Sequence, residues 1–213
     1  MNTKICYVVG AGDNYGLSFS PYPDDRVIAA DAGLRYLQES GMTADLVIGD
    51  FDTLNFKPQH PNVIALNTEK DDTDMLAAVR EGINAGYDLF HIYCGTGGRI
   101  EHTIANIQML SWLSQNGKQG FLFGQDCIMT VITNTTLSFS QNTSGFVSVF
   151  SYSEKSEGVY LKGLKYELDN AVLSNTFPIG VSNEFVGIES EITVKNGTLL
   201  IVFPKEFKEV TLR

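Results

Sequence analysis

The chain has 213 residues, enough for one or two domains with real hydrophobic cores. Hydrophobic residues make up 43% and charged residues 19%, a balance that excludes disordered and collagen-like classes. Fifteen basic residues against 25 acidic ones give a net charge of −10, the wrong sign for a generic nucleic-acid binder.

Ile5–Val9 reads as a first strand. The apolar run from Ile5 to Gly12 is too short for a signal-peptide core and continues straight into glycine-rich sequence. Arg26–Ala30 is a second strand. Leu34 and Leu37 follow at helical spacing, and Gly41 is a helix stop. Residues 45–48 form another strand that ends at Gly49, and residues 62–66 a fourth. Residues 73–85 predict a helix with Met75, Leu76, Val79 and Ile83 on one face and Gly86 after it. Residues 90–93 are a fifth strand. Residues 101–116 predict a second long helix with Ile104, Ile107 and Leu110 inward and Gly117 as its stop. Gln119–Phe123 is a last strand. Strands alternating with helices imply βαβ units and a mainly parallel, Rossmann-like sheet.

The texture changes after Gly124. Thr, Ser, Val and Phe dominate, and no helical period appears. Residues 146–152 and 159–161 read as strands. Residues 192–194 and 198–203 flank Lys195-Asn196-Gly197, a hairpin signal. The expected organisation is an α/β domain over 1–124 and an all-β sandwich or barrel over 125–213. No apolar run approaches the roughly 20 residues of a membrane span. Cys6, Cys94 and Cys127 form no C-x-x-C pair, which argues against a zinc site and a secreted disulfide framework. The expected compartment is the cytoplasm, with neither membrane nor nucleic acid as partner.

Eleven of the 25 acids fall between Asp24 and Asp74, and they gather at the ends of predicted strands. Asp31 follows the second strand. Asp50 and Asp52 follow the third in Gly49-Asp50-Phe51-Asp52-Thr53. Asp71, Asp72 and Asp74 follow the fourth in Lys70-Asp71-Asp72-Thr73-Asp74. The carboxyl ends of the strands of an open parallel sheet form its ligand crevice. Like charges gathered there need a cation, and hard carboxylate oxygens suit magnesium shared with substrate phosphates. Singly, each acid has a plainer reading as a cap or turn residue, and Asp72 or Thr73 would cap the next helix. Capping does not account for three clusters together.

A fourth element, Gly95-Thr96-Gly97-Gly98-Arg99-Ile100-Glu101-His102, joins a strand to a helix. Glycines there allow close backbone approach, a helix start attracts phosphate, and Arg99 adds a permanent positive charge. It is neither a Walker A loop nor a good G-x-G-x-x-G fingerprint. His102 and Asn106 stand one helical turn apart and can face one crevice. In the second half, Lys165-Tyr166 and Ser182-Asn183-Glu184 are polar groups whose individual reading is surface or turn.

Together these motifs resemble the thiamine pyrophosphokinase family, of bacterial type. That family carries a DGG-type turn, then GDFDS, a KDxTD-type motif, GGRxDH and a late Ser-Asn pair in a β domain. Here Asp31-Ala32-Gly33, Gly49 to Thr53, Lys70 to Asp74, Gly97 to His102 and Ser182-Asn183 follow in that order across almost the whole chain. Gly163-Leu164-Lys165-Tyr166 is similar to a segment of the bacterial β domain. Ala32 departs from glycine, Thr53 from serine and Glu101 from aspartate.

The resemblance implies transfer of a diphosphoryl group from ATP to thiamine. Asp50, Asp52 and Asp74 would hold magnesium and, with Arg99, carry the chemistry. Asp31 and Asp71 would be supporting ligands. Lys70, Asp71, Thr73, Gly97, Gly98, Arg99, His102 and Asn106 would bind ATP. Asp31, Lys165, Tyr166, Ser182 and Asn183 would face thiamine, whose cationic ring suits the acidic balance. The resemblance also implies a homodimer formed through β domains, with active sites shared between subunits. Rival readings are a haloacid-dehalogenase-type phosphatase using Asp50 and Asp52, a thiamine or nucleotide sensor without turnover, and a diphosphotransferase with another acceptor.

Overall fold

The computed structural model describes residues 3–51, 58–67, 69, 71–205 and 210–212. They divide into two compact units, Met1–Met109 with Gly120–Gln125, and Leu110–Gln119 with Asp126–Arg213.

The first unit contains β1 (Ile5–Val9), β2 (Arg26–Ala30), α1 (Gly33–Glu39), β3 (Leu46–Gly49), β4 (Val63–Ala65), α2 (Asp74–Asn84) and β5 (Leu89–Tyr93), and it includes most of β6 (Gln119–Phe123). A third helix, α3 (Ile100–Gln115), begins in it. Its strands run in the order β6-β5-β1-β2-β3-β4. The pairs β1–β2, β1–β5, β2–β3 and β3–β4 are all parallel. The mainly parallel sheet is therefore as expected. β1, β2 and β3 are buried almost throughout, as continuous apolar runs in a covered parallel sheet should be. After β4 the chain returns to β5 on the other side of β1. The direction of strand addition thus reverses at β1, and a ligand crevice belongs there.

Three glycines end the helices as the sequence suggests. Gly41, Gly86 and Gly117 take φ of 69°, 82° and 68°, left-handed values that an L side chain resists. Thr73 caps α2, its Oγ1 accepting the Leu76 N–H at 3.1 Å. The inward face of α2 differs from expectation. Met75, Ala78, Val79 and Gly82 are buried, whereas Leu76 and Ile83 are only half-buried. Small residues decide this: a Cβ on Gly82 would lie 2.6 Å from Phe90 Cε1 and 2.8 Å from Cys6 Sγ. The helix lies flush on β1 and β5 through its smallest side chain. In α3, Asn106, Met109, Leu110 and Leu113 are buried, while Ile104 is 52% exposed. The expected inward role of Ile104 is overturned, and Ile107 is half-buried. A polar residue, Asn106, takes the inward position because its amide has a buried partner, described below.

An aromatic layer carries part of this core. Tyr7 stacks on Phe19 (centroids 4.2 Å) and Tyr93 on Phe123 (4.3 Å), with Phe19 supplied by the irregular segment before β2. His91 lies edge-on among Tyr7 and Phe121, beside Phe123. Burial pushes its pKa from 6.5 down to about 4, against a weak opposing pull from Asp25. The unfolded chain then binds a proton between those values that the folded chain refuses. Stability should rise with pH from about 4 to 6.5, and His91 should contribute about 3 kcal/mol of that rise. Denaturant titrations of His91→Phe across this window should show a shallower pH dependence than the parent chain; equal slopes would contradict the assignment.

The second unit is a two-sheet β structure. It contains β7 (Cys127–Thr133), β8 (Thr136–Phe139), β9 (Phe146–Ser151), β10 (Lys155–Lys162), β11 (Leu168–Ser174), β12 (Asn183–Glu184), β13 (Ser190–Asn196), β14 (Thr198–Pro204) and β15 (Val210–Leu212). One sheet has the order β12-β9-β14-β7 and the other β11-β10-β13-β8-β15. Among the described residues these strands pair with one another antiparallel. Phe139 of the second sheet meets Phe203 of the first edge-on at 5.1 Å, inside the sandwich core.

The expected 192–203 hairpin does not form. β13 pairs with β10 and β8, whereas β14 pairs with β7 and β9. Lys195-Asn196-Gly197 instead carries the chain from one sheet to the other. Gly197, at φ 122°, accepts from Asn134 N at 3.2 Å and donates its own N–H to Asn134 Oδ1 at 2.8 Å. Asn134 lies where β7 also leaves its sheet for β8. A short-range turn signal cannot tell a hairpin from such a corner, because both need a left-handed residue.

Candidate active site

At the carboxyl ends of the central strands the first unit encloses a cavity of about 530 Å³, the size of a small-ligand site. Three strands end beside it in an unusual local conformation. Asp31, directly after β2, has φ 48°; Phe51, after β3, has φ 61°; Cys94, after β5, has φ 52°. Non-glycine residues rarely adopt these values, and such strain gathers at functional sites.

Asp31, Asp50 and Asp74 converge here. One carboxylate oxygen from each lies within 4.8 Å of the others. Asp31 is 5% exposed, and its Oδ1 is buried without a hydrogen-bond partner. Gly49 permits this approach, since a Cβ there would lie 3.1 Å from Asp31 Cα. Asp74 opens α2, where the helix dipole favours a carboxylate. A buried carboxylate oxygen without a protein partner is costly unless a cation completes it. The donor set therefore fits a hard divalent ion. Asp31, expected on the thiamine side and as a supporting ligand, is a member of this cluster. Asp52, expected as a ligand, lies outside the described residues, as do Thr53 and Lys70.

The β5–α3 turn lines the same cavity. Gly97 and Gly98 have φ of 80° and 56°, two successive left-handed residues that only glycine accepts cheaply. Arg99 lines the cavity and its Nε donates to Glu101 Oε1 at 2.7 Å. Glu101, where the family motif has aspartate, thus holds the arginine by an exposed ion pair. Its carboxyl pKa is lowered by that hydrogen bond. His102 also lines the cavity. Asn106 lines it from a buried position, its Nδ2 donating to Gly95 O at 2.6 Å. It holds the glycine turn in place. Thr73 lines the cavity while capping α2. Asp71 is exposed and is not among the lining residues. Asp72 pairs with Arg80.

Sequence reasoning missed one wall. Gly10, Gly12 and Asp13 after β1, and Tyr36 of α1, also line the cavity. Gly12 N donates to Cys94 O at 2.8 Å, and Asp13 N to Thr96 O at 2.9 Å. Cβ atoms on Gly10 and Gly12 would each lie 2.7 Å from Cys94 O. Gly10-Ala11-Gly12 at the end of an apolar run was the available signal. It marks two backbones passing closely.

In the second unit, Asn183 is 4% exposed. Its Oδ1 accepts from Tyr166 N and from Glu184 N, both at 2.9 Å, and its Nδ2 donates to Tyr166 O at 2.6 Å. Lys165 Nζ donates to Glu184 Oε2 at 2.7 Å. Lys165, Tyr166 and Asn183 are thus brought together, with Tyr166 63% exposed. Ser182 follows with φ 56°, its N–H bonded to Ser148 Oγ at 3.1 Å.

Comparison with known proteins agrees with this two-part organisation. Residues 23–122 match the model of the thiamin pyrophosphokinase catalytic domain, and residues 134–199 match that of the thiamin pyrophosphokinase vitamin B1 binding domain. A thiamine pyrophosphokinase of Bacillus subtilis (strain 168) is 25% identical over 207 residues, covering 93% of this chain and 97% of that protein. The crystal structure of thiamine pyrophosphokinase from Bacillus subtilis shares the fold with a TM-score of 0.84 at 20% identity, covering 96% of this chain and all of that one. The thiamin pyrophosphokinase structure from Geobacillus thermodenitrificans gives 0.82 at 24% identity, with 95% and 98% covered. With both domain models matched in order along one chain, the protein belongs to the thiamin pyrophosphokinase family.

Proposed function

We infer that this chain transfers the diphosphoryl group of ATP to the hydroxyethyl oxygen of thiamine, giving thiamine diphosphate and AMP. The observation that carries this reading is the convergence of Asp31, Asp50 and Asp74 in the cavity that the Gly97-Gly98-Arg99 turn also lines, in a chain of this family. The thiamine oxygen attacks the β-phosphorus. The bond from that phosphorus to the α–β bridging oxygen breaks, AMP leaves, and the hydroxyl proton is lost. Little covalent work falls to the protein, so alignment and charge stabilisation dominate. Asp31, Asp50 and Asp74, with Asp52, are the proposed magnesium ligands. When bound, the ion neutralises charge on the phosphate oxygens. Arg99, fixed by Glu101, contacts phosphate oxygens. Gly98, where a Cβ would meet nothing within 4 Å, leaves room for phosphate close to the backbone, and Asn106 keeps that turn in shape. Thr73 and His102, which line the cavity, and Lys70 complete the proposed nucleotide contacts.

Residues 1–124 are proposed as the catalytic domain and 125–213 as the thiamine-binding and dimerisation domain. Lys165, Tyr166, Ser182 and Asn183 are the proposed thiamine contacts. Phe146, Val181, Val186 and Ile188 are all close to half exposed or more. Exposed apolar side chains of this kind are compatible with a homodimer, and active sites shared between subunits are proposed from the family resemblance. Among the described residues no helix is long and apolar enough to cross a membrane, and the cytoplasm is the proposed location. The phosphatase reading gains nothing here: Asp50 follows the third strand of the sheet, whereas that motif ordinarily follows the first.

Asn183→Ala should cost about 2–3 kcal/mol of stability, because two backbone groups of Tyr166 lose their partner. Below its melting temperature the variant should show a raised KM for thiamine and a KM for ATP changed less than twofold. Equal rises in both would remove this segment from the thiamine pocket. The reading as a whole is tested by incubating the protein with ATP, magnesium and thiamine. AMP should form only when all three are present; nucleotide turnover independent of thiamine would overturn it.

A further inference from the structure

Asp13 has no part in the metal cluster, yet it lines the same cavity. Its position is fixed from three sides. Its N–H donates to Thr96 O at 2.9 Å, and Tyr15 OH donates to its Oδ2 at 3.1 Å. Its carboxylate lies against Gly97, where a Cβ would come 2.1 Å from Oδ2. The absence of a side chain at Gly97 is what makes room for it.

Strand order fixes which end of a nucleotide it would meet. The loops run β5, β1, β2, β3 across the carboxyl edge. Asp31 and Asp50 occupy the β2 and β3 ends, while Asp13 sits where the β1 loop crosses the β5 loop. Neighbouring strands lie about 4.8 Å apart. A triphosphate held at the aspartate cluster and at Gly98-Arg99 would place its nucleoside toward Asp13, which covers Gly97. A fixed carboxylate repels phosphate and accepts only from donors. The vicinal hydroxyls of ribose are such donors, and a carboxylate oriented by Tyr15 retains acceptor capacity for them.

We propose that Asp13 is a specificity-determining residue that accepts hydrogen bonds from the ribose hydroxyls of the nucleotide, so that the site prefers ribonucleotides to deoxyribonucleotides. The proposal rests on the reading of the cavity as an ATP site. Its test compares ATP with 2′-deoxy-ATP and 3′-deoxy-ATP on the parent chain, Asp13→Ala and Asp13→Asn. Equilibrium binding of each magnesium nucleotide is measured by calorimetry without thiamine, and AMP formation with it. Asp13 is exposed, so both variants should fold; melting curves check this.

The parent chain should bind ATP at least tenfold more tightly than one of the deoxynucleotides. Asp13→Ala should lose ten- to a hundredfold for ATP, the range for a hydrogen bond to a charged group, and little for that deoxynucleotide. Asp13→Asn should lose less. No preference in the parent chain would overturn the proposal. So would equal losses for all three nucleotides, relaxed discrimination between ATP and GTP instead, or an effect confined to the KM for thiamine. If ATP binds with the expected preference but no AMP forms with thiamine, the proposed reaction fails while the role of Asp13 stands.

Discussion

Asp31→Asn should yield a folded protein that no longer makes AMP. The substitution keeps the shape of the side chain and removes one of three clustered carboxylates. Asparagine tolerates the left-handed backbone at φ 48° better than almost any other non-glycine residue. Relief of like-charge repulsion in a buried position should raise stability by about 1 kcal/mol when metal is chelated. Thiamine-dependent AMP formation should fall at least about a thousandfold, equivalent to roughly 4 kcal/mol in the barrier. A second readout separates the ion from the chemistry. Magnesium or manganese should raise the melting temperature of the parent chain, by mass action on the folded state, and leave that of Asp31→Asn unmoved. An unfolded variant, or one within tenfold of parental activity, would show that Asp31 serves the fold or the surroundings and not the ion.

Gly33→Ala should destabilise the chain by about 3 kcal/mol, at the severe end for one methyl group. A Cβ at Gly33 would lie 1.9 Å from Val9 O and 2.9 Å from Gly10 O. Both are backbone atoms, so no side chain can turn aside. Either α1 lifts off β1 or the turn that carries Asp31 moves, and activity should fall with stability. Ala32→Gly is the matched control. Ala32 has φ −64° and ψ −6°, an ordinary helical conformation for alanine. Restoring the family's glycine there should cost about 1 kcal/mol or less. Chemical denaturation of the two variants side by side checks the pair. Equal costs would mean that the turn responds to sequence length and flexibility and not to the close approach at Gly33.

These two glycine positions show what the sequence could convey. The turn is legible as a motif, and Ala32 stands in it as a departure from glycine. Only the approach of α1 to the end of β1 reveals that the second position carries the steric demand. The parallel sheet was legible because β1, β2 and β3 are unbroken apolar runs punctuated by glycine and aspartate. The helix stops were legible because a left-handed residue is a local requirement. What failed was nonlocal. Lys195-Asn196-Gly197 has the composition of a hairpin, but pairing partners far along the chain pull its two strands into different sheets. Ile104 has helical spacing, but Asn106 takes the inward place through a hydrogen bond to Gly95. The cluster of Asp31 with Asp50 and Asp74 was readable from strand-end logic. The contribution of Asp13 was not, since its place depends on Gly97, more than eighty residues away.

The central claim is diphosphoryl transfer by attack at the β-phosphorus, and the fate of labelled ATP tests it most directly. ATP carrying the label at the α-phosphorus should deliver all of it to AMP, and ATP labelled at the γ-phosphorus should deliver it to the terminal phosphate of thiamine diphosphate. AMP and thiamine diphosphate should appear in equal amounts. Labelled ADP together with thiamine monophosphate would mean attack at the γ-phosphorus and would contradict the account.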